Sequence, residues 1–294
     1  MKSFLKHIGF IILSVLVMLF VLDYIYTSVY KKSYPRNKTQ YILALDVRDT
    51  LDYVFLGSSR VENTIVTKRI EELTGKRAIN LGTQGAKLND INMFLNLLID
   101  NKVVFNRLFV QMDYNFNNKG SSDLVRSQAL PYIHNTTSIS NYLKHNDSNF
   151  NKYYYVPFYK YATNDYRIGL REVFASAISK KAKTNFRSGY KPVIGQMKPD
   201  ASSKLPLEIV SNNIGFQTID SICNARNINV TYYCAPFCSN LENRHYLDHL
   251  GCKIDNFIDF SAAIDNDKYF QNCSHLNLEG AKLFTELLIK ELNL

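Results

Sequence analysis

A short strand that runs into two serines is the first place in this chain where the residue types can do chemistry. Residues 53–56 are apolar and β-rich, and Gly57-Ser58-Ser59 follows, ahead of residues with helical composition. A serine at such a turn presents its hydroxyl above the sheet edge, near backbone N–H groups that can bind a developing oxyanion. The same tripeptide is also typical of an ordinary turn in which serine caps a helix.

Two further strand ends carry hydrogen-bond donors that could serve the same oxyanion. Residues 80–85 follow a second strand, and the backbone N–H of Gly85 can approach a ligand closely because glycine has no side chain. Asp113-Tyr114-Asn115 follow a third strand, and the Asn115 amide is a side-chain donor. A tight turn and an Asx cap are the structural alternatives at these two places.

A polar loop before the last helix contains Asn272 and His275. An imidazole there can take the proton of a serine hydroxyl and return it to a leaving alcohol. A surface histidine near a helix start is the alternative interpretation. Asn272 can orient the ring, but a neutral amide cannot stabilise its protonated form as a carboxylate does.

Taken in chain order, these four segments resemble the four sequence blocks of the SGNH (GDSL-type) hydrolase superfamily. Those blocks are a Gly-x-Ser turn, a glycine block, an asparagine block and a terminal Asp-x-x-His. The resemblance covers residues 52–115 and 229–292. Gly57-Ser58-Ser59-Arg60 and the ending 275–281 are similar to the membrane-anchored branch, which includes D-alanyl-lipoteichoic-acid transfer and polysaccharide O-acetylation proteins.

The resemblance implies a role for each matched residue. Ser59 would be the nucleophile and His275 the general base. The N–H groups of Ser59 and Gly85 and the amide of Asn115 would form the oxyanion hole. No metal and no organic cofactor is implied.

This chain departs from the family pattern at two positions. Asn272 stands three residues before His275, where the family usually has Asp, and Asp113 stands where many members have Gly. Another carboxylate, such as Asp259 or Asp267, is a candidate partner for the imidazole.

The resemblance favours a membrane-anchored SGNH-like esterase or O-acyltransferase that acts on an acylated cell-envelope glycan through an acyl-serine intermediate. The alternative is a catalytically impaired SGNH-like domain that binds glycan or assists a membrane-bound acyltransferase. A third hypothesis is a peripheral hydrolase that faces the cytoplasm. The net charge of +9 favours anionic partners, but no nucleic-acid-binding motif accompanies it, so we expect no nucleic-acid partner.

Alternating strand and helix patterns predict the scaffold. The predicted elements are strands at 53–56, 78–81, 107–112, 229–234 and 257–260 and helices at 67–73, 88–101, 207–224 and 278–292. They indicate a three-layer α/β fold, an SGNH-like (flavodoxin-like) parallel sheet with helices on both faces. An insertion at about 116–205, with one helix near 168–181, is a lid, a substrate platform, a partner surface or simply aromatic packing.

The N-terminus predicts a membrane anchor. Residues 8–22 carry no charge, and a helix of about 20 apolar residues spans a bilayer. We therefore predict an anchor at 1–27, a stalk at 28–48 and the SGNH-like domain at 49–294. A cleaved signal peptide and a buried core helix are the alternatives. Flanking charges do not set the orientation, since Lys2 and Lys6 precede the span and four basic residues follow it. We expect the large domain outside the cytoplasm, because such a domain translocates regardless of charge.

The five cysteines all lie in the last third of the chain. They are Cys223, Cys234, Cys238, Cys252 and Cys273. One or two disulfides and core packing as free thiols are both compatible with this pattern. Cys234 and Cys238 have a spacing that is loosely compatible with zinc, but no second His or Cys pair follows at the usual spacing. We therefore predict no metal site.

Overall fold

A five-stranded parallel sheet forms the centre of the protein, whose computed structural model describes residues 1–182 and 184–294. The strands of this sheet and of two small two-stranded sheets, β4-β6 and β8-β9, are in chain order β1 (Thr50–Leu56), β2 (Ala78–Asn80), β3 (Val104–Gln111), β4 (Ser203–Lys204), β5 (Val230–Cys234), β6 (Leu241–Glu242), β7 (Phe257–Asp259), β8 (Phe270–Asn272) and β9 (His275–Leu276). The central sheet has the order β2-β1-β3-β5-β7 with every pair parallel. This is the flavodoxin-like order, in which the chain reverses direction across the sheet between β1 and β3.

Helices cover both faces of the sheet, and further helices form the N-terminal apolar segment and the insertion. They are α1 (Lys2–Lys32), α2 (Lys38–Ala44), α3 (Ser59–Glu62), α4 (Thr67–Thr74), α5 (Leu88–Asp100), α6 (Asp123–Ala129), α7 (Thr137–Asn146), α8 (Phe150–Tyr155), α9 (Tyr159–Thr163), α10 (Asp165–Ile168), α11 (Leu170–Ala177), α12 (Ile214–Ala225), α13 (His245–Gly251) and α14 (Leu278–Leu292). Short 3₁₀ turns lie at Tyr114–Asn117, Leu130–Tyr132 and Asp267–Tyr269.

The alternation of β1 divides the core into two layers. Val54 and Leu56 point into the layer of α5 and α12, whereas Tyr53 and Phe55 point into the layer of α4 and α14. Successive strand side chains face opposite sides of a sheet, so a strand that is apolar throughout must be covered on both. The predicted α/β class and its parallel sheet with helices on both faces are confirmed.

The insertion contains more structure than its composition predicts. Residues 116–182 and 184–205 contain helices α6 to α11, where we predicted one helix near 168–181, and only α11 falls in that range. The predicted start of the next helix at 207 is wrong. Helix α12 begins at Ile214 because the Asn213 side chain accepts a hydrogen bond from the Phe216 N–H at 3.2 Å and caps the helix there.

The N-terminal helix α1 is long and apolar enough to cross a membrane. It continues to Lys32, so the predicted boundary between anchor and stalk at residues 27 and 28 falls inside it. The segment predicted as a stalk contains the end of α1 and the whole of α2. Tyr30 and Ile42 in this segment are buried against the domain.

Candidate functional site

The sequence blocks meet at the carboxyl ends of β1 and β3, where the order of the sheet reverses. Open parallel sheets bind their ligands at this point, because the loops that leave the two strands diverge and form a crevice. Ser59 follows β1, and Asp113 and Asn115 follow β3. His275 comes from the β8–β9 hairpin next to helix α14.

The hydroxyl of Ser59 contacts the imidazole of His275. Ser59 Oγ lies 2.8 Å from His275 Nε2, although 216 positions of chain separate the two residues. Ser59 is the first residue of α3, and Ser58 precedes it as the N-cap residue. Gly57 is required at the end of the strand, because a side chain there would lie 2.3 Å from the Val61 side chain. The turn therefore places the Ser59 hydroxyl at the carboxyl end of the central strand β1.

The far side of the imidazole ring faces a neutral amide. His275 Nδ1 lies 3.0 Å from Asn272 Oδ1. That oxygen also accepts from the Ser274 N–H at 2.9 Å, while the amide nitrogen of Asn272 donates to Gln271 Oε1 at 2.7 Å. These contacts make Oδ1 the acceptor, so the proton of the neutral ring sits on Nδ1. Nε2 is then free to accept the Ser59 proton.

Burial and a nearby cation both disfavour protonation of His275. Desolvation of the ring, with the positive charge of Arg60 as the smaller cause, lowers the pKa of His275 from 6.5 to about 4. The imidazole is therefore neutral at neutral pH. That is the state in which it can act as a base.

Arg60 connects the strand ends around the site. Its side chain is fully buried, and its guanidinium donates to the backbone carbonyls of Ser274, Ala235 and Pro236 at 2.5, 2.6 and 3.2 Å. The guanidinium also lies over the Phe237 ring, 3.6 Å from the centroid. Because Ser274 precedes His275, Arg60 ties the histidine loop to the turn that carries Ser59.

Asp113 is the counter-ion of Arg60. Arg60 Nε lies 2.7 Å from Asp113 Oδ2, although its N–H is not aimed well enough for a hydrogen bond. Gln111 Nε2 donates to the same carboxylate oxygen, and Gln111 Oε1 accepts from the Ser58 N–H and hydroxyl at 2.9 and 2.8 Å. The acidic residue at the asparagine block thus belongs to a buried network that supports the serine turn.

The two other candidate carboxylates contact neither Ser59 nor His275. Asp259 accepts from the Ser261 N–H and hydroxyl at 2.8 and 3.2 Å. Asp267 accepts from the Ser239 N–H and hydroxyl at 2.9 and 2.6 Å. Both carboxylates stabilise local turns. The sequence-based suggestion that one of them replaces the family carboxylate is wrong.

Gly85 and Asn115 lie on neighbouring loops. Gly85 has φ of +66°, which favours glycine because other residues are strained there. Asn115 donates from its amide to the Ala86 carbonyl at 3.1 Å, and its backbone N–H donates to Asp113 Oδ1 at 2.8 Å. An amide nitrogen has two N–H groups, so Asn115 keeps a second donor beyond the bond to residue 86.

A disulfide fastens the hairpin that carries His275. Cys273 is bonded to Cys238 in the loop after β5, and the Cys238 N–H donates to the Cys273 carbonyl at 3.0 Å. Cys223 and Cys234 are buried as free thiols, and Cys252 is free and exposed. The two interpretations from the sequence thus apply to different cysteines, since one pair forms a disulfide and two others pack in the core as free thiols. Within residues 1–182 and 184–294, no group of three or more His, Cys, Asp and Glu side chains is arranged to hold a metal ion.

Sequence reasoning assigned no role to two important site residues: Arg60 was named only as part of a motif, and Gln111 only lay within a predicted strand. Arg60 follows the serine turn and Asp113 follows β3, but their pairing is evident only once β1 and β3 are known to be neighbours. Gln111 gave no signal of its role, because a glutamine at the end of a strand is equally common as a surface residue.

Comparison with known proteins adds a distant structural likeness. Neither a protein-family model nor a curated protein sequence matches the chain. A solved structure from Streptococcus pneumonia, described provisionally as a platelet activating factor, is similar over 98% of this chain and 99% of its own, with 10% identity and a TM-score of 0.42. A likeness of this degree carries no argument, so the fold and the proposals below rest on the residues of this chain.

Proposed function

We propose that this protein is a membrane-anchored SGNH-like esterase or O-acyltransferase that works through an acyl-Ser59 intermediate. The observation that carries the proposal is the 2.8 Å contact between Ser59 Oγ and His275 Nε2. It joins a hydroxyl and a neutral imidazole from opposite ends of the domain. Nucleophile and base within hydrogen-bond reach, with a third group that orients the base, is the arrangement that acyl transfer requires.

The proposed chemistry has two halves. In the first, His275 Nε2 takes the Ser59 proton while Oγ attacks the ester carbonyl, and the protonated ring then gives that proton to the leaving alcohol. In the second, His275 takes a proton from water or an acceptor alcohol, whose oxygen attacks the acyl carbonyl. The bond from that carbonyl carbon to Ser59 Oγ then breaks, and the protonated ring returns its proton to Oγ. The backbone N–H groups of Ser59 and Gly85 and the second amide N–H of Asn115 would stabilise the oxyanion in both halves.

A polymeric, cell-envelope substrate is the class we favour. Ser59 and His275 are half-buried at the carboxyl ends of the strands. Their partial exposure allows contact with an acyl group that projects from a long chain. The net charge of +9 favours an anionic polymer.

We further propose that α1 anchors the protein with its large domain outside the cytoplasm. Disulfides persist in oxidising compartments, and this chain has one between Cys238 and Cys273. Two of the four basic residues that follow the span are engaged within the domain, since Arg36 pairs with Glu172 at 2.5 Å and Lys38 is buried. They therefore count less as cytoplasmic charges than the sequence suggests.

Labelling with a fluorophosphonate tests the nucleophile. The wild type should label, and Ser59→Ala should not, because the probe requires an activated serine hydroxyl. Ser274→Ala is the matched control, since it removes a serine hydroxyl beside His275 and keeps the carbonyl that Arg60 binds. Equal labelling of wild type and Ser59→Ala would show that Ser59 is not the nucleophile.

The contact with Asn272 favours one second candidate, a catalytically impaired domain that binds glycan or assists a membrane-bound acyltransferase. A neutral amide at His275 Nδ1 orients the ring but does not offset the charge that the ring gains during acylation. In this case neither the wild type nor an Asn272→Asp variant would hydrolyse esters. Both proteins would retain the same affinity for an envelope polymer.

A further inference from the structure

The end of the apolar stretch of α1 lies beside the end of α8 in the insertion. Residues 155–157 border a cavity of about 280 Å³ together with Phe20, Asp23 and Tyr24 of α1. Tyr155 is 74% exposed and Tyr24 is 73% exposed, which is unusual for neighbouring large side chains. We call Tyr24 and residues 155–157 the interfacial patch.

Polar contacts fix α1 to the insertion at the same level. Lys160 Nζ lies 2.7 and 2.6 Å from the two carboxylate oxygens of Asp23, and the Phe158 N–H donates to Asp23 at 2.7 Å. One turn further along α1, the Thr27 hydroxyl lies 2.7 Å from the Tyr161 hydroxyl. Lys160 and Tyr161 are both buried. These contacts hold the helix and the domain as one body.

The length of α1 sets the depth of this junction. From Phe4 to Leu22 a helix spans about 28 Å at its usual rise, close to the roughly 30 Å of a bilayer hydrocarbon core. Asp23, the first acidic residue of the chain, therefore marks the end of the span. Since the cavity places residues 155–157 beside Asp23 and Tyr24, the interfacial patch lies at the depth of the lipid headgroups.

The composition of the patch suits that depth. Tyrosine is enriched at membrane interfaces because its ring is apolar and its hydroxyl is polar. Lys31 borders the same cavity and is exposed. Exposed lysines next to a membrane span attract anionic lipid headgroups.

We propose that the interfacial patch is a second membrane contact, in which residues 155–157 insert among anionic lipid headgroups beside α1. This inference rests on the proposed membrane anchoring by α1. This contact adds to the polar contacts with α1 in holding the domain against the bilayer. The site at the ends of β1 and β3 consequently keeps a constant height above the membrane.

The test uses the absence of tryptophan from the chain. Full-length Tyr155→Trp protein is reconstituted in vesicles of phosphatidylcholine and phosphatidylglycerol in equal parts, with bromine on the acyl chains near the headgroup. Phe20→Trp in α1 is the positive control. Leu73→Trp is the matched negative control, because Leu73 is exposed on α4, in the layer opposite to α1.

Bromolipid should quench the fluorescence of Tyr155→Trp several-fold more than that of Leu73→Trp, and that of Phe20→Trp most of all. Equal quenching of Tyr155→Trp and Leu73→Trp, with Phe20→Trp strongly quenched, would overturn the second contact while leaving the anchor. An unquenched Phe20→Trp would overturn the anchor and this inference together. If Tyr155→Trp is quenched equally in vesicles of phosphatidylcholine alone, the proposed preference for anionic lipid is wrong. None of these readings depends on Ser59 being a nucleophile.

Discussion

The two halves of the candidate site are held in place by different means. On the nucleophile side, Arg60, Gln111 and Asp113 are fully buried and bonded to one another and to several strand ends. On the base side, His275 is half-buried on a two-stranded hairpin, and its partner Asn272 is exposed. Substitutions on the nucleophile side should therefore lower the free energy of unfolding, whereas substitutions on the base side should change the rate of reaction at Ser59.

The largest expected effect is the removal of the buried cation. Arg60→Met leaves the Asp113 carboxylate buried without its counter-ion, and breaking such a pair costs about 3–5 kcal/mol of unfolding free energy. Urea denaturation of the detergent-solubilised protein measures it. Arg69→Met is the matched control, because Arg69 pairs with Glu286 on the surface, where an ion pair contributes about 1 kcal/mol or less.

A second substitution sharpens this prediction. Asp113→Leu added to Arg60→Met removes the unpaired charge and should recover part of the lost stability. If Arg60→Met is no less stable than Arg69→Met, the network does not hold the nucleophile side together.

The next effect concerns the base side. Asn272→Asp places a carboxylate 3 Å or so from His275 Nδ1, where it can stabilise the protonated ring. We expect fluorophosphonate labelling of Ser59 to become at least about tenfold faster. The reverse change in a serine protease triad costs about 10⁴-fold, but Asn272 is exposed and water screens a charge there.

Stability separates this substitution from the previous one. Asn272→Asp should unfold at nearly the same urea concentration as the wild type, since no buried group changes. An unchanged labelling rate would mean that proton transfer to His275 does not limit the reaction.

The smallest effect is a shift in pH dependence. Burial and Arg60 lower the pKa of His275 to about 4, so labelling of Ser59 should fall with a midpoint near pH 4 and not near 6.5. The sign for stability follows, because the folded pKa lies below the unfolded one. The neutral ring contributes stability that is present above pH 6.5 and is lost as the pH falls toward 4.

Stopped-flow labelling across this range measures the midpoint. The Asn272→Asp variant should move the midpoint upward, since a carboxylate favours the charged ring. A wild-type midpoint at 6.5 or above would contradict the depressed pKa.

Periodicity predicted the scaffold because each central strand is apolar and is followed by a turn. The predicted helix at 278–292 matches α14, and the predicted strand at 257–260 matches β7 to within one residue. The insertion was poorly predicted, because its short helices are rich in Tyr and Asn and pack through aromatic contacts such as that between Tyr26 and Phe158. Such contacts leave no regular apolar spacing along the chain.

The site was predictable only in part. The sequence motifs indicate which residues form it, but they do not reveal the buried contacts that support those residues. The order of the four motifs along the chain pointed to Ser59 and His275. The fold of the domain then brings these two residues into contact. Arg60 pairs with Asp113 because β1 and β3 are neighbours in the sheet, and strand order cannot be read directly from the sequence. For the same reason Asp259 and Asp267 were plausible partners until the turns that they stabilise were known.

The bond between Cys238 and Cys273 also bears on when the site is completed. A newly made chain in a reducing cytoplasm carries both thiols unpaired, and the hairpin with His275 then lacks its covalent attachment. We expect the base to reach Ser59 stably only after the domain meets an oxidant.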